Sequence, residues 1–100
     1  MEISANIEGS KATLVLEGKL TVQTAPELAA AVDALDPAPC DFDLDLTDVE
    51  YVSSAGLRVF VATDQLAVSR GGVMRILHPN DDVMAVFDMT GLVDIFNIER

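Results

Sequence analysis

The first residues of the chain alternate with period two, Ile3, Ala5 and Ile7 falling on one side and Glu2, Ser4, Asn6 and Glu8 on the other. After Gly9-Ser10, Ala12, Leu14 and Leu16 answer Lys11, Thr13, Val15 and Glu17. Two alternating runs split by a Gly-Ser pair predict an antiparallel hairpin, closed by Gly18 and Lys19. Thr24-Ala25-Pro26-Glu27 has the form of a capping box, in which Thr24 accepts from a first-turn N–H and Glu27 reaches back. A helix should follow, because Leu28, Val32 and Leu35 recur at three- and four-residue steps beside Ala25 and Ala31. Asp36-Pro37 with Pro39 stops it.

Asp41 to Leu46 alternates again, Phe42, Leu44 and Leu46 against Asp41, Asp43 and Asp45, which predicts a strand with one wet face. Thr47 to Val52 reads as a short loop. Helical spacing runs from Ala55 to Arg70, with Ser53-Ser54 as cap candidates and Gly71-Gly72 at the end, where Gly71 suits a left-handed C′ position. Val73 to Leu77 is a short strand that His78-Pro79 breaks. Asn80-Asp81-Asp82 opens a third helix with acceptors and negative charge at its positive end. Val83, Val86, Phe87 and Thr90 form its inner face, Gly91 ends it, and Ile95 to Ile98 supplies a last strand.

The predicted order is β-β-α-β-α-β-α-β. Helices between successive strands require crossover connections, so the class is α/β, with a mostly parallel sheet and an N-terminal antiparallel hairpin. Parallel strands covered on both faces read as continuous apolar runs, whereas these alternate. One face is therefore expected to be open, with strands in sequential order and all three helices on the other face, a one-sided βα superhelix. Lys11, Thr13, Glu17 and Arg75 would share the open face with the three aspartates, Lys11 and Arg75 offsetting their repulsion.

Composition narrows the function classes. One hundred residues, half of them apolar, make a single domain over residues 1–100 with a core that needs no staples. Six basic residues against 17 acidic ones give a formal charge of −11, which opposes docking on nucleic acid or anionic membranes. Nothing from Met1 to Glu8 resembles a signal peptide and no apolar run reaches the length of a membrane span, so a cytoplasmic protein is expected, monomeric when free. The lone Cys40 reads as a small buried filler, and Met74, Met84 and Met89 as core filler. Asp41, Asp43 and Asp45 read as a solvated face rather than a metal site, since no His or Cys joins them. His78 reads as a surface-loop residue. With no phosphate-cradling Gly-rich loop, dithiol motif or paired catalytic carboxylates, neither metal, cofactor nor enzymatic activity is expected.

The chemistry-bearing stretch runs from Asp45 to Phe60. It places Ser53 and Ser54 at a helix N-terminus, where unpaired N–H groups and a partial positive charge could solvate an attached phosphate. On physics alone the ordinary reading is an N-cap, worth about 1 kcal/mol. Gly56 either permits close packing or lets another molecule's backbone approach Ser54. Leu57, Val59, Phe60, Val61 and Ala62 leave few solvent-compatible positions in the first two turns, consistent either with a docking surface or with deep burial.

The run Leu44-Asp45-Leu46-Thr47, followed by Val49-Glu50-Tyr51-Val52-Ser53-Ser54-Ala55-Gly56-Leu57-Arg58, closely resembles the signature of the STAS domain of bacterial anti-sigma-factor antagonists. Leu16-Glu17-Gly18-Lys19-Leu20 with Thr24-Ala25-Pro26-Glu27-Leu28 is similar to the family's strand-to-first-helix segment. Phe87-Asp88-Met89-Thr90-Gly91-Leu92 and Ile95-Phe96-Asn97-Ile98 are similar to its C-terminal segment. The resemblance spans nearly the whole chain and implies the same one-sided βα superhelix. It further implies a protein that binds an anti-sigma factor, itself a serine kinase of the histidine-kinase-like ATPase fold, and so frees a sigma factor. Phosphorylation would switch the protein off and a PP2C-type phosphatase would restore it. By residue match the phosphorylated serine is Ser54, with Ser53 the second choice, and Thr21, Ser53, Ser54, Ala55, Gly56, Leu57 and Arg58 form the partner-binding surface. Ser53 and Thr21 stand where many relatives have Asp, which makes the local field less negative. The alternative is a STAS subunit with a constitutive partner, such as a lipid-transport complex, without phosphorylation. An enzyme on an α/β scaffold is the third class.

Overall fold

The computed structural model describes residues 1–35 and 39–100; the Asp36-Pro37 stop signal lies outside them. In chain order the elements are β1 (Glu2–Glu8), β2 (Lys11–Leu20), α1 (Ala25–Asp33), β3 (Asp41–Val52), α2 (Ser54–Ser69), β4 (Met74–Leu77), α3 (Asp81–Thr90), a 3-10 turn (Leu92–Asp94) and β5 (Asn97–Glu99). The sheet runs β1-β2-β3-β4-β5, antiparallel between β1 and β2 and parallel thereafter. Gly9 turns the hairpin with φ 61°, a conformation that a side chain at the first central position of a two-residue loop would oppose.

Alternation along the strands decides where the helices go. Ala12, Leu14, Leu16, Phe42, Leu44, Leu46, Met74 and Ile76 are fully buried and pack in one cluster with Leu28 and Val32 of α1, Phe60 and Ala67 of α2, and Val83 and Phe87 of α3. All three helices therefore cover one face. Phe60, Phe87 and Phe96 meet edge to face at centroid separations of 5.7–6.4 Å, tying α2, α3 and the C-terminal segment together. Such pairs add about 0.5–1.5 kcal/mol each beyond their burial.

Several expectations change. Thr47 to Val52 is not a loop, because β3 continues through it. Its twelve residues pair with the ten of β2 by slipping twice, where Val15↔Asp45 is followed by Glu17↔Asp48 and Gly18↔Val49 by Lys19↔Tyr51. Each slip adds one residue on β3, so the buried positions become Leu46, Val49 and Val52, a step of three that hides the strand from a period-two reading. The last strand starts at Asn97, after the 3-10 turn. Thr90 is exposed, its hydroxyl donating back to Val86 O at 2.8 Å. Met89 is 85% exposed rather than core filler, since it lies two residues, about 200°, around α3 from the buried Phe87. Met84 is half-buried and packs against the core as expected, whereas Cys40 is half-buried rather than enclosed.

The open face is also less wet than its aspartates suggest. Asp43 is buried, at 4% exposure. Arg75 donates from Nε to its Oδ1 at 2.8 Å and from Nη2 to its Oδ2 at 2.5 Å, and Lys11 Nζ lies 2.7 Å from the same Oδ2. Burial pushes the Asp43 carboxyl up, but its hydrogen bonds and charge pairing with Arg75 and Lys11 together outweigh it and hold it below the ordinary aspartate value. A carboxyl depressed by folding stabilises fully above its unfolded pKa, and that contribution is lost as pH falls through the folded value. Asp43→Asn is expected to cost about 1–2 kcal/mol at neutral pH, discounted from a fully buried pair because both cations remain partly exposed. The gap to wild type should narrow below about pH 4. Urea unfolding at neutral and acid pH checks this, and equal stability at neutral pH would contradict it.

Candidate functional site

The C-terminal ends of β2 and β3 lie side by side, Leu20 opposite Val52. Thr21 follows the one and Ser53 the other, and Ser53 N donates to Leu20 O at 2.8 Å. One backbone bond thus joins the two segments that the sequence places far apart.

The two serines have different jobs in this geometry. Ser53 is extended, with φ −85° and ψ 172°, and is the N-cap of α2; its Oγ accepts from Gly56 N at 3.3 Å and its carbonyl from Leu57 N at 3.0 Å. Ser54 is the first helical residue. It is exposed, and among the described residues its hydroxyl makes no hydrogen bond. The cap that ordinary helix architecture needs is therefore supplied by Ser53, which leaves Ser54 without a structural role for its hydroxyl.

Thr21 and Thr24 form a turn of their own. Thr21 Oγ1 accepts from Gln23 N at 3.2 Å and Thr24 N at 3.3 Å, while Thr24 Oγ1 accepts from Thr21 N at 2.7 Å and donates to Lys19 O at 2.8 Å. The expected capping box is absent. Thr24 occupies the N-cap position of α1 but makes no side-chain bond into the helix. Its backbone, at φ −98° and ψ −19°, is already helical, whereas a capping side chain is aimed at the first-turn amides by an extended backbone.

Gly56 is a packing residue. A Cβ there would lie 2.5 Å from Leu20 Cδ2 and 3.1 Å from Val52 Cγ1, so the helix start can sit down on the two strand ends only without a side chain. Gly56 and Leu57 are buried, and Phe60 is fully so. The apolar start of α2 is mostly enclosed by its neighbours. Of the residues assigned to partner binding, Ser54 and Arg58 are exposed, Thr21, Ser53 and Ala55 are half-buried, and Gly56 and Leu57 face inward. Arg58 lies one turn after Ser54 and lines a groove of about 330 Å³ between α1 and α2, with Ala29, Asp33 and Ala62.

The sequence pattern does not single out two apolar residues that flank this site. Val22, next to Thr21, is 67% exposed, and Tyr51, paired with Lys19, is 49% exposed. An apolar residue inside the polar turn Thr21–Thr24 was a signal for Val22, whereas the second bulge of β3 concealed Tyr51. Asp48 and Glu50 line a separate hollow of about 550 Å³ with Glu17 and Asn80. Three residues of strand place Glu50 about 10 Å from Ser53, near the range of electrostatic screening. Asn80 Nδ2 donates to Val49 O at 3.0 Å while its Oδ1 accepts from Val83 N at 2.8 Å, so the cap of α3 also fixes this part of β3. Among the described residues no cluster of three His, Cys, Asp or Glu is placed to hold a metal, and no helix is long and apolar enough to cross a membrane.

Residues 3–97 match the family model described as Mlab, STAS domain. The chain belongs to the STAS domain family of anti-sigma factor antagonists. Among curated STAS relatives, the anti-sigma-B factor antagonist of Bacillus subtilis is 34% identical over 83 residues, covering 83% of this chain and 76% of that one. A Thermotoga maritima STAS structure, assigned as an anti-sigma factor antagonist, superposes with a TM-score of 0.90 at 26% identity, covering 98% of this chain and 86% of that one. Bacillus SpoIIAA, solved in its phosphorylated form, shares the STAS fold at a TM-score of 0.77 and 14% identity, over 99% of this chain and 92% of that one.

Proposed function

We propose that this STAS protein is an anti-sigma factor antagonist switched by phosphorylation of Ser54. Unphosphorylated, it binds an anti-sigma factor that is also a serine kinase of the histidine-kinase-like ATPase fold, and the sigma factor is released. The kinase transfers the γ-phosphoryl group of ATP to Ser54 Oγ, ADP leaves, and a PP2C-type phosphatase hydrolyses the ester. This chain acts as binding partner and kinase substrate, not as an enzyme.

The observation that carries the reading is the division of labour between the serines, one hydroxyl spent on the cap and the next exposed and unengaged. A phosphate on Ser54 adds about −1.5 to −2 charge at the positive end of α2, a sixteen-residue helix with no acidic residue in its first turn. Arg58, one turn on, supplies a nearby cation at the spacing that favours side-chain pairing on a helix. The fold can therefore absorb the charge, and the change is felt by the partner across Thr21, Ser53, Ala55 and Arg58, with Gly56 and Leu57 holding the helix start in place. Relatives that bear the antagonist name and a fold neighbour known in phosphorylated form support the same reading.

Incubating the protein with its cognate kinase and ATP, then mapping phosphate by mass spectrometry, tests it. Phosphate is expected on Ser54 in wild type and in Ser53→Ala, and on neither serine in Ser54→Ala. Phosphate on Ser53 alone would overturn the assignment. The Mlab description of the family model favours one second reading, a STAS subunit with a constitutive partner; no phosphate with any kinase encoded by the same genome would select it.

A further inference from the structure

The β1 edge of the sheet is open. β1 is an end strand of seven residues, and Ser4 to Glu8 are all exposed. The hairpin determines which of its backbone groups are free. Glu8 pairs with Lys11 across the Gly9-Ser10 turn, and the residues flanking a two-residue turn exchange both of their N–H···O bonds. Hydrogen-bonded pairs then alternate along the ladder. Glu2, Ser4, Asn6 and Glu8 bond to β2, while Ile3, Ala5 and Ile7 direct N–H and C=O away from the sheet, a template for another strand.

The same three residues carry the apolar side chains, on the face shared with Leu16, Leu14 and Ala12. Ile7 is 49% exposed. A groove of about 570 Å³, apolar along Met1, Ile3, Ala5, Ala31 and Leu35 but with Glu27 also in its lining, runs beside them between β1 and α1.

The strand itself indicates the occupant. Glu-Ile-Ser-Ala-Asn-Ile-Glu, residues 2–8, reads almost identically in both directions about Ala5. We propose that β1 pairs antiparallel with β1 of a second copy about a two-fold axis at Ala5, joining two five-stranded sheets into one of ten. In this register Ala5 meets Ala5 of the second copy and each Ile3 meets an Ile7, so the outward N–H and C=O groups of all three residues find partners. Each Ile7 is brought to the mouth of the other copy's groove. The interface uses one patch twice and closes at two.

Charge opposes the pairing. Glu2 falls opposite Glu8 of the second copy, and each chain carries −11, so the dimer is favoured by salt and by high concentration. The monomer expected from chain length is the dilute, low-salt form.

Sedimentation of the 100-residue chain from about 10 μM to 1 mM, in low and high salt, tests this. The mass should rise from 10.7 kDa towards twice that value, at lower concentration in high salt. Ala5→Pro removes an outward N–H and no β1–β2 bond, and an edge strand accommodates it; it should fold with the wild-type circular dichroism spectrum and stay monomeric. Glu2→Lys, opposite Glu17 within the chain and Glu8 across the axis, should tighten the dimer about tenfold. A wild type that is monomeric throughout, an Ala5→Pro that dimerises equally, or a Glu2→Lys that is no tighter would overturn the proposal. If Ala5→Pro unfolds, Ile7→Lys at its half-exposed site carries the test, and a dimer undiminished in that variant overturns it too.

Discussion

Ser54→Asp is expected to weaken binding to the cognate anti-sigma factor by about tenfold to a hundredfold, because a like or unpaired charge at a protein interface costs several kcal/mol when fully desolvated and less at its rim. Ser54→Ala should keep affinity within about twofold, as surface changes that break no bond usually do, and cannot be phosphorylated. The asymmetry follows from the structure. The Ser54 hydroxyl is exposed and has no hydrogen-bond partner among the described residues, so its loss takes nothing from the fold. A carboxylate in its place brings one full charge into whatever surface covers the start of α2, and a phosphate brings nearly two. Both variants should melt within a few degrees of wild type, since Ser53 still caps the helix. Isothermal titration against the anti-sigma factor, with thermal melts as control, checks the pair. Equal affinities of Ser54→Asp and wild type would contradict the switch.

Gly72→Ala is expected to give the largest loss of stability. A Cβ at Gly72 would run into the backbone carbonyl of Cys40 and the Asp41 side chain. These atoms cannot easily give way, because Asp41 Oδ1 accepts from Val73 N at 2.9 Å and Gly72 N donates to Ala67 O at 2.8 Å. The end of α2, the start of β3 and the start of β4 meet at this point without room for a methyl group. Overpacking costs about 1–3 kcal/mol, and a clash with backbone puts Gly72→Ala at the upper end. For a domain of this size that lowers Tm by about 12–20 °C. Gly71→Ala is the comparison. Gly71 has φ 80° and open space around its Cα, so only the left-handed backbone opposes a side chain there, at about 1–2 kcal/mol. Thermal melts of the two variants check the order, and a Gly72→Ala melt within a few degrees of wild type would contradict it.

Much of the fold was legible because most strands obey one rule. Where β2, the first half of β3 and β4 alternate strictly, burial of the apolar positions follows the pattern, Asp43 being the acidic position that is buried as well, and the alternation of apolar and acidic residues correctly indicates helices on one face. The rule fails where the backbone adds residues. Two bulges turn Val49 and Val52 inward and leave Tyr51 outward, and period-two reading has no term for them. The capping box failed for a related reason. Thr24 and Glu27 have the right identities and spacing, but the turn through Thr21 sets the Thr24 backbone before the helix begins, and the hydroxyl is used inside that turn.

At the site, the serines were found from helix-start chemistry and from resemblance, yet only coordinates distinguish the capping hydroxyl from the free one. The roles of Gly56 and Leu57 also needed coordinates, since sequence alone left open whether they met the protein's own strands or another molecule. The acidic balance of the chain likewise acquires a place. One buried carboxylate, Asp43, is neutralised by Lys11 and Arg75, while Asp48 and Glu50 sit in a hollow apart from the serines. The added charge of the switch therefore falls on a helix start free of other acids.

The most direct measurement mixes the cognate anti-sigma factor, already bound to its sigma factor, with this protein in unphosphorylated form or singly phosphorylated at Ser54, and follows the free sigma factor. Release is expected from the unphosphorylated protein, little or none from the phosphorylated one, and recovery of release after treatment with a PP2C-type phosphatase. Equal release by both forms would contradict it.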